Sequence, residues 1–272
     1  MLTVFSIPKP FAGRMGVIQR AAVRSWALLG DDVRVLLVGD EDGVAEAARE
    51  LGVEHEPELA RTERGTPRLD GAFAAAGADA GDGLRLFVNA DVVLGGDVRL
   101  AAERLGAWAP RFLAVGETRE LEVAPEELDR PDELRARALR DGRRRGAAAI
   151  DWFLFTPGLF EPLPPFLVGR ATFDNWLVWK GRQEGPVVDA TDAVAAIHQP
   201  HDYAHLAGGK DEAYYGAEAA ANLAAAGGKR RLYTIHDASH RLRADGAIRR
   251  NLGATLRARE TARKVAWKLG RR

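Results

Sequence analysis

A repeated change of hydrophobic period constrains this chain most. Three apolar runs, Leu2–Ile7, Val33–Val38 and Leu84–Val88, alternate with stretches whose apolar residues recur at helical spacing. Between the first two, Val17, Ile18, Ala21, Ala22, Ser25 and Trp26 line one face of a helix expected from Gly13 to Leu29. Gly39-Asp40 closes the second run, and a helix from about Gly43 to Leu51 and a short strand near Val53 follow. Strands alternating with helices imply βαβ units and a sheet that is mainly parallel and flanked by helices. In such sheets ligands gather beyond the carboxyl ends of the strands. Pro8–Lys9, Gly39–Asp40 and Asn89–Asp91 are therefore expected on one rim.

The second half repeats the pattern less regularly. Strands are expected at Phe112–Val115, Ile150–Phe155 and Val187–Val188, and a helix from Asp174 to Gly181. Glu120–Arg145 is densely charged and reads as a solvated helix and loop, with Arg143-Arg144-Arg145 as a surface turn or a phosphate contact. Pro157, Pro162, Pro164 and Pro165 impose an ordered loop. From Arg249 to Arg272 the chain carries nine Arg or Lys residues against Glu260 alone, with Ile248, Leu252, Leu256, Val265 and Leu269 near one helical face. This tail reads as a terminal helix packed through that face, or as an interfacial helix on an anionic membrane. The chain thus divides into an α/β domain over residues 1–240 and a basic helical tail over 241–272.

Composition excludes several functions. With no cysteine, thiolate metal sites, disulfides and cysteine nucleophiles are absent. Thirty-nine basic residues balance 39 acidic ones, which argues against a nucleic-acid partner. No apolar run approaches the ~20 residues that span a bilayer, and the first residues do not read as a secretory leader. A cytoplasmic location is expected, with possible peripheral contact at the inner membrane face through the tail.

Three segments carry chemistry. In Leu84–Leu94, a strand ends in Asn89 and Asp91, two residues apart and so on one side of the backbone. Together they suit Mg²⁺ or Mn²⁺ held mainly by a ligand's phosphates, or else an ordinary Asn/Asp turn. In Ile197–His205 three histidines occur in nine residues, but Pro200 interrupts any helix that would align them. His198 is the best candidate there, as a Mn²⁺ ligand or phosphate contact. In Val168–Trp179, Asp174 opens a helix and serves either as its cap or as a base held in a fixed direction. Trp176 and Trp179 offer a sugar-stacking face or core packing.

Taken together, IPKPF (7–11), GTP (65–67), FVNAD (87–91), IDWFLF (150–155), PPFLVGR (164–170), DNWL (174–177) and IHQPHDY (197–203) resemble the nucleotide-diphospho-sugar transferases of the GT-A glycosyltransferase fold. The resemblance is particularly to bacterial members with an N-x-D variant of the D-x-D motif, and it runs from about Thr3 to Ala238. The resemblance implies a glycosyltransferase that moves a sugar from a nucleotide-diphospho-sugar to an acceptor hydroxyl, using Mn²⁺ or Mg²⁺. It implies that Ser6, Ile7 and Pro8 edge the nucleobase pocket, that Asp40 closes it, and that Thr66 and Arg170 help hold the donor. Asn89 faces the ribose or the metal, Asp91 and His198 bind the metal, and Asp174 is the acceptor-side base. Arg14, Arg119, Asp151, Asn175, Trp176 and His201 are candidates for phosphate or acceptor contacts. Two rivals share this kind of sheet: a sugar-1-phosphate nucleotidyltransferase and a non-catalytic sugar- or nucleotide-sugar-binding protein. Against the first, IPKPFAGRMG has Gly13 and Gly16 but no G-x-G phosphate loop.

Overall fold

The computed structural model describes residues 1–78, 81–201 and 209–253. In the first third, β1 (Leu2–Ser6), α1 (Gly13–Ala27), β2 (Val33–Val38), α2 (Val44–Leu51), β3 (Glu54–Glu56) and β4 (Leu84–Val88) alternate as expected, and α3 (Leu69–Gly77) is a further helix between β3 and β4. Next come β5 (Val92–Val93), α4 (Gly96–Trp108), β6 (Leu113–Val115), β7 (Arg119–Glu120), α5 (Pro131–Asp141), β8 (Arg143–Arg144) and β9 (Trp152–Phe155). The chain continues through α6 (Phe173–Glu184), β10 (Val187–Asp189), β11 (Ile197–His198), α7 (Gly209–Tyr215), α8 (Ala217–Ala225), β12 (His240–Leu242) and β13 (Ile248–Arg250).

Among the described residues the larger sheet runs β13-β12-β10-β6-β9-β4-β1-β2-β3. The pairs β1 with β2, β1 with β4, β2 with β3, β6 with β10, and β10 with β12 are parallel. Strand β9 runs against both neighbours, β4 and β6. A smaller sheet, β5-β11-β7-β8, lies beyond the end of β4.

Every residue of β1 is buried, as a strand covered on both faces requires. Alternation then sorts the side chains. Val4, Leu86, Val88, Trp152 and Leu154 join one core with Trp26, Val44, Val98 and Leu105 from α1, α2 and α4. Phe5, Phe87, Phe153 and Phe155 join the other core with Leu69, Ala72, Trp176 and Leu177 from α3 and α6. Phe73 meets Phe5 edge-on at 5.1 Å and stacks on Phe155 at 5.3 Å, contacts that add to the ~1.5–3 kcal/mol of burying such a ring. Gly181 lets α6 approach the sheet closely, since a Cβ there would stand 2.7 Å from the Leu113 side chain.

Two sequence expectations are corrected here. Arg143 and Arg144 form β8, an edge strand paired antiparallel with β7, rather than a surface turn. Ile248–Arg250 is also a strand, closing a hairpin with β12, so the helical tail does not begin at 241 or 249. Most of the tail, residues 254–272, lies outside the described residues.

Candidate functional site

The site forms where the two sheets meet. Beyond β4 the chain is pinned from α1: Trp26 Nε1 donates to the Val92 carbonyl at 2.9 Å, and Leu94 N donates to Ser25 Oγ at 3.1 Å. These bonds fix the direction of Asp91. Strand β11 then pairs antiparallel with β5, which sets His198 opposite Val92. Gln199 locks that register, with its backbone N on the Asp91 carbonyl at 3.0 Å and its Nε2 on the Ile18 carbonyl at 2.9 Å.

The result is a cluster of Asp91, His198 and His201 whose ligand-type atoms lie within 4.8 Å of one another. His201 Nε2 is 2.9 Å from Asp91 Oδ2, and His198 Nε2 is 3.9 Å from Oδ1. Lys9 Nζ reaches to 4.0 Å from Asp91 and 3.5 Å from His201 Nε2. Burial would raise the Asp91 pKa, but the His201 hydrogen bond and the charges of His198, Lys9 and His201 hold it below the usual carboxylate range. Burial lowers the pKa of His198 and favours the neutral imidazole that ligates metals. Asp91 Oδ1 is buried without a hydrogen-bond partner. One carboxylate and two imidazoles are a donor set suited to Mn²⁺, and the orphaned oxygen is a position such an ion satisfies. His205 lies outside the described residues.

Behind this cluster stands Asp151. Its Oδ1 accepts from Asn89 Nδ2 at 3.0 Å, while its Oδ2 accepts from Thr118 Oγ1 and from Arg145 Nη1, each at 2.6 Å. Asp151 is 6 % exposed, and its charge acts on both His198 and Asp174. Asp174 sits in the first turn of α6, just after Thr172, whose φ of 106° is unusual for a residue with a side chain. Asp174 retains some solvent contact, but its Oδ1 is wholly covered and has no hydrogen-bond partner. Burial and the nearby Asp151 charge push its pKa up to about 6, against the pull of the Asn175, Asp174 and Thr172 backbone N–H groups. A carboxyl group poised near neutrality suits general-base chemistry.

The other candidates are placed as follows. Asp40 lines an open cleft of about 670 Å³ with Pro57, Glu58, Leu59, Ala60 and Arg61 at the ends of β2 and β3, and pairs with Arg61 at 2.6 Å. Ser6 and Ile7 are buried, with Ser6 opposite Leu37 at the neighbouring end of β1, and Pro8 is buried as well. Arg170 and Thr66 converge, but on Glu218 of α8: Arg170 Nε lies 2.9 Å and Thr66 Oγ1 2.8 Å from Glu218 Oε2. Arg14 pairs with Glu122 at 2.7 Å on the surface, and Arg119 donates to the Gly142 carbonyl. Trp176 does not offer a stacking face: it is 5 % exposed and packs on Phe166 in the core beneath α6. Asn175 is likewise engaged, exchanging two bonds with the Tyr233 backbone.

Sequence reasoning missed three residues. Lys9 was expected on the rim but was given no role in the site. Arg145 shared its reading with two exposed neighbours, and Thr118 follows a strand with no motif of its own.

No protein-family model matches this chain, and no curated protein matches it in sequence. Solved structures do. TarS residues 1–349 from S. aureus, in complex with UDP-GlcNAc, superposes with a TM-score of 0.50 at 12 % identity, over 74 % of this chain and 59 % of that one. This chain therefore spans about three fifths of that structure. Glucosyl-3-phosphoglycerate synthase from M. tuberculosis, with Mg²⁺ and UDP, gives 0.47 at 17 % identity over 84 % and 79 % of the two chains. The Pyrobaculum calidifontis mannosyltransferase PcManGT, with GDP-Man and Mn²⁺, gives 0.43 at 14 % over 73 % and 56 %. The fold of this chain is that of the GT-A nucleotide-sugar glycosyltransferases, with a mixed, mainly parallel sheet flanked by helices.

Proposed function

We propose that this protein transfers a sugar from a nucleotide-diphospho-sugar to an acceptor hydroxyl, with Mn²⁺ or Mg²⁺ bound at the end of β4. The observation that carries the reading is the gathering of Asp91, His198 and His201 from two distant segments, with ligand-type atoms within 4.8 Å of one another and the Asp91 Oδ1 buried and unpartnered. These three residues would hold the ion, which supplies positive charge against the diphosphate as the leaving group departs. Lys9 adds a cation to the same place. The cleft at Asp40 and Arg61 is the candidate base pocket. Asp174 accepts the proton of the acceptor hydroxyl on its carboxylate if the reaction inverts; if it retains, Asp174 only orients the acceptor.

No helix among the described residues is long and apolar enough to cross a membrane. The reading includes a cytoplasmic location, with the basic segment 249–272 as a peripheral contact with anionic lipid. Binding to anionic liposomes that survives removal of that segment would refute the contact.

The test of function is calorimetric titration with UDP, GDP and dTDP sugars, with and without Mn²⁺, repeated on Asp91→Ala. Metal-dependent binding of one donor, weakened at least ~100-fold in the variant, is expected. Binding indifferent to both metal and Asp91 refutes the metal assignment. Pyrophosphate release from a nucleoside triphosphate would instead identify a nucleotidyltransferase, and donor binding without turnover on any acceptor would identify a binding protein.

A further inference from the structure

We infer that Asp151 is the positioning residue for the Asn89-x-Asp91 end of β4, and that because of it asparagine serves this site better than aspartate at position 89. The inference rests on the reading of Asp91, His198 and His201 as the ion-binding group. An aspartate at 89 would ordinarily be expected to strengthen a divalent-ion site by adding charge. Here the surroundings reverse that expectation.

Two bonds join Asn89 to Asp151: backbone N to the Asp151 carbonyl at 2.9 Å, and Nδ2 to the carboxylate Oδ1 at 3.0 Å. An ionised carboxylate only accepts, so it is the amide nitrogen of Asn89 that must face it. The amide oxygen is thereby turned away from Asp151, as an acceptor for whatever the rim binds. The other oxygen of Asp151 is engaged by Thr118 and Arg145, each at 2.6 Å. Asp151 is thus buried, fixed on three sides and matched in charge by Arg145, which makes it a brace rather than a ligand.

Aspartate at 89 has no hydrogen to donate. Its carboxylate would stand about 3 Å from that of Asp151 in a poorly hydrated place, where like charges repel strongly. The side chain would have to turn from the brace, and the segment carrying Asp91 would lose its anchor. Exchange of the two residues removes the conflict. In Asn89→Asp with Asp151→Asn, the amide at 151 donates to residue 89 and its oxygen still accepts from Thr118 and Arg145.

The experiment compares the parent, Asn89→Asp, Asp151→Asn and the double exchange. Mn²⁺ affinity is read from the spin-resonance signal of free Mn²⁺, and thermal midpoints are recorded alongside. Asn89→Asp is expected to bind Mn²⁺ at least ~10-fold more weakly than the parent, as losses of such supporting bonds do, with the double exchange restoring most of the affinity. Asn89→Asp binding as tightly as the parent or more tightly would overturn the inference. Should the parent bind no Mn²⁺, the metal reading fails by itself, and the midpoints still decide the brace. A lowered midpoint in Asn89→Asp that the double exchange recovers supports it, and four equal midpoints overturn it.

Discussion

Asp91 and Asp174 begin from the same predicament and end on opposite sides of the ordinary carboxylate value of 3.8. Each has a covered carboxylate oxygen without a hydrogen-bond partner, and for each burial is the largest influence. Around Asp91 the chain gathers His201, His198 and Lys9, and the carboxylate stays ionised. Around Asp174 it places the Asp151 charge, and the pKa rises to about 6. In the proposed reading the two acids do different work, one holding positive charge and one exchanging a proton. A third, Glu218, is also held below its ordinary value: burial would raise it, but bonds from Thr66, Thr62 and Arg170 outweigh that. It is bound by Arg170, Thr66 and Thr62 and has nothing left to offer a ligand.

The contrast is broken most severely at Asp174. Asp174→Asn is expected to slow transfer ~10²–10⁴-fold while leaving donor affinity unchanged, as measured by initial rates beside calorimetry. Full turnover would remove Asp174 from the mechanism. In the parent, kcat should rise with pH through about 6 and level off above it.

Next in size is Glu218→Ala, which strands the buried Arg170 guanidinium. A loss of about 3–5 kcal/mol in urea unfolding is expected; a loss under ~1 kcal/mol would mean the cluster is more hydrated than its 10 % and 8 % side-chain exposures indicate.

The stability cost of Asp174 is smaller and has a definite sign. Its folded pKa lies above the unfolded value of 3.8, so its contribution is fully present below that value and is lost as pH rises to about 6. Asp174→Asn should therefore be more stable than the parent by about 2–3 kcal/mol at pH 8, with the gap closing near pH 4. A pH-independent gap would show that the carboxyl is not the cause. Smallest of all is Arg14→Ala. Its pair with Glu122 is 67 % and 75 % exposed, so a change within ~0.5 kcal/mol is expected. A tenfold loss of donor affinity in that variant would return Arg14 to the phosphate site.

The legible parts of this molecule are those whose cause is local. Strands β1, β2 and β4 announce themselves as apolar runs, and alternation alone puts Asn89 and Asp91 on one side of the chain. His198 stood out because it ends an apolar run. What depends on distant pairing was hidden. Nothing in WFLF reveals that β9 runs against β4, and that reversal delivers Asp151 to Asn89. The edge strands Arg143–Arg144 and Ile248–Arg250 have charged residues where a buried strand has apolar ones, so their period carries no signal. Trp176 was ambiguous for a different reason. A helix shows which residues share a face but not which face meets the core.

The reversed strand has a last consequence, for how such a site could be altered. Parallel strands reach the rim as the chain leaves the sheet, so changing their loops alters the path into the following helix. Strand β9 meets the rim as the chain enters it. The Gly146–Ala149 stretch just before it is therefore a natural place to graft new residues at the rim. A graft there inherits the Arg145 and Asp151 anchors on either side and leaves every crossover of the sheet at its present length.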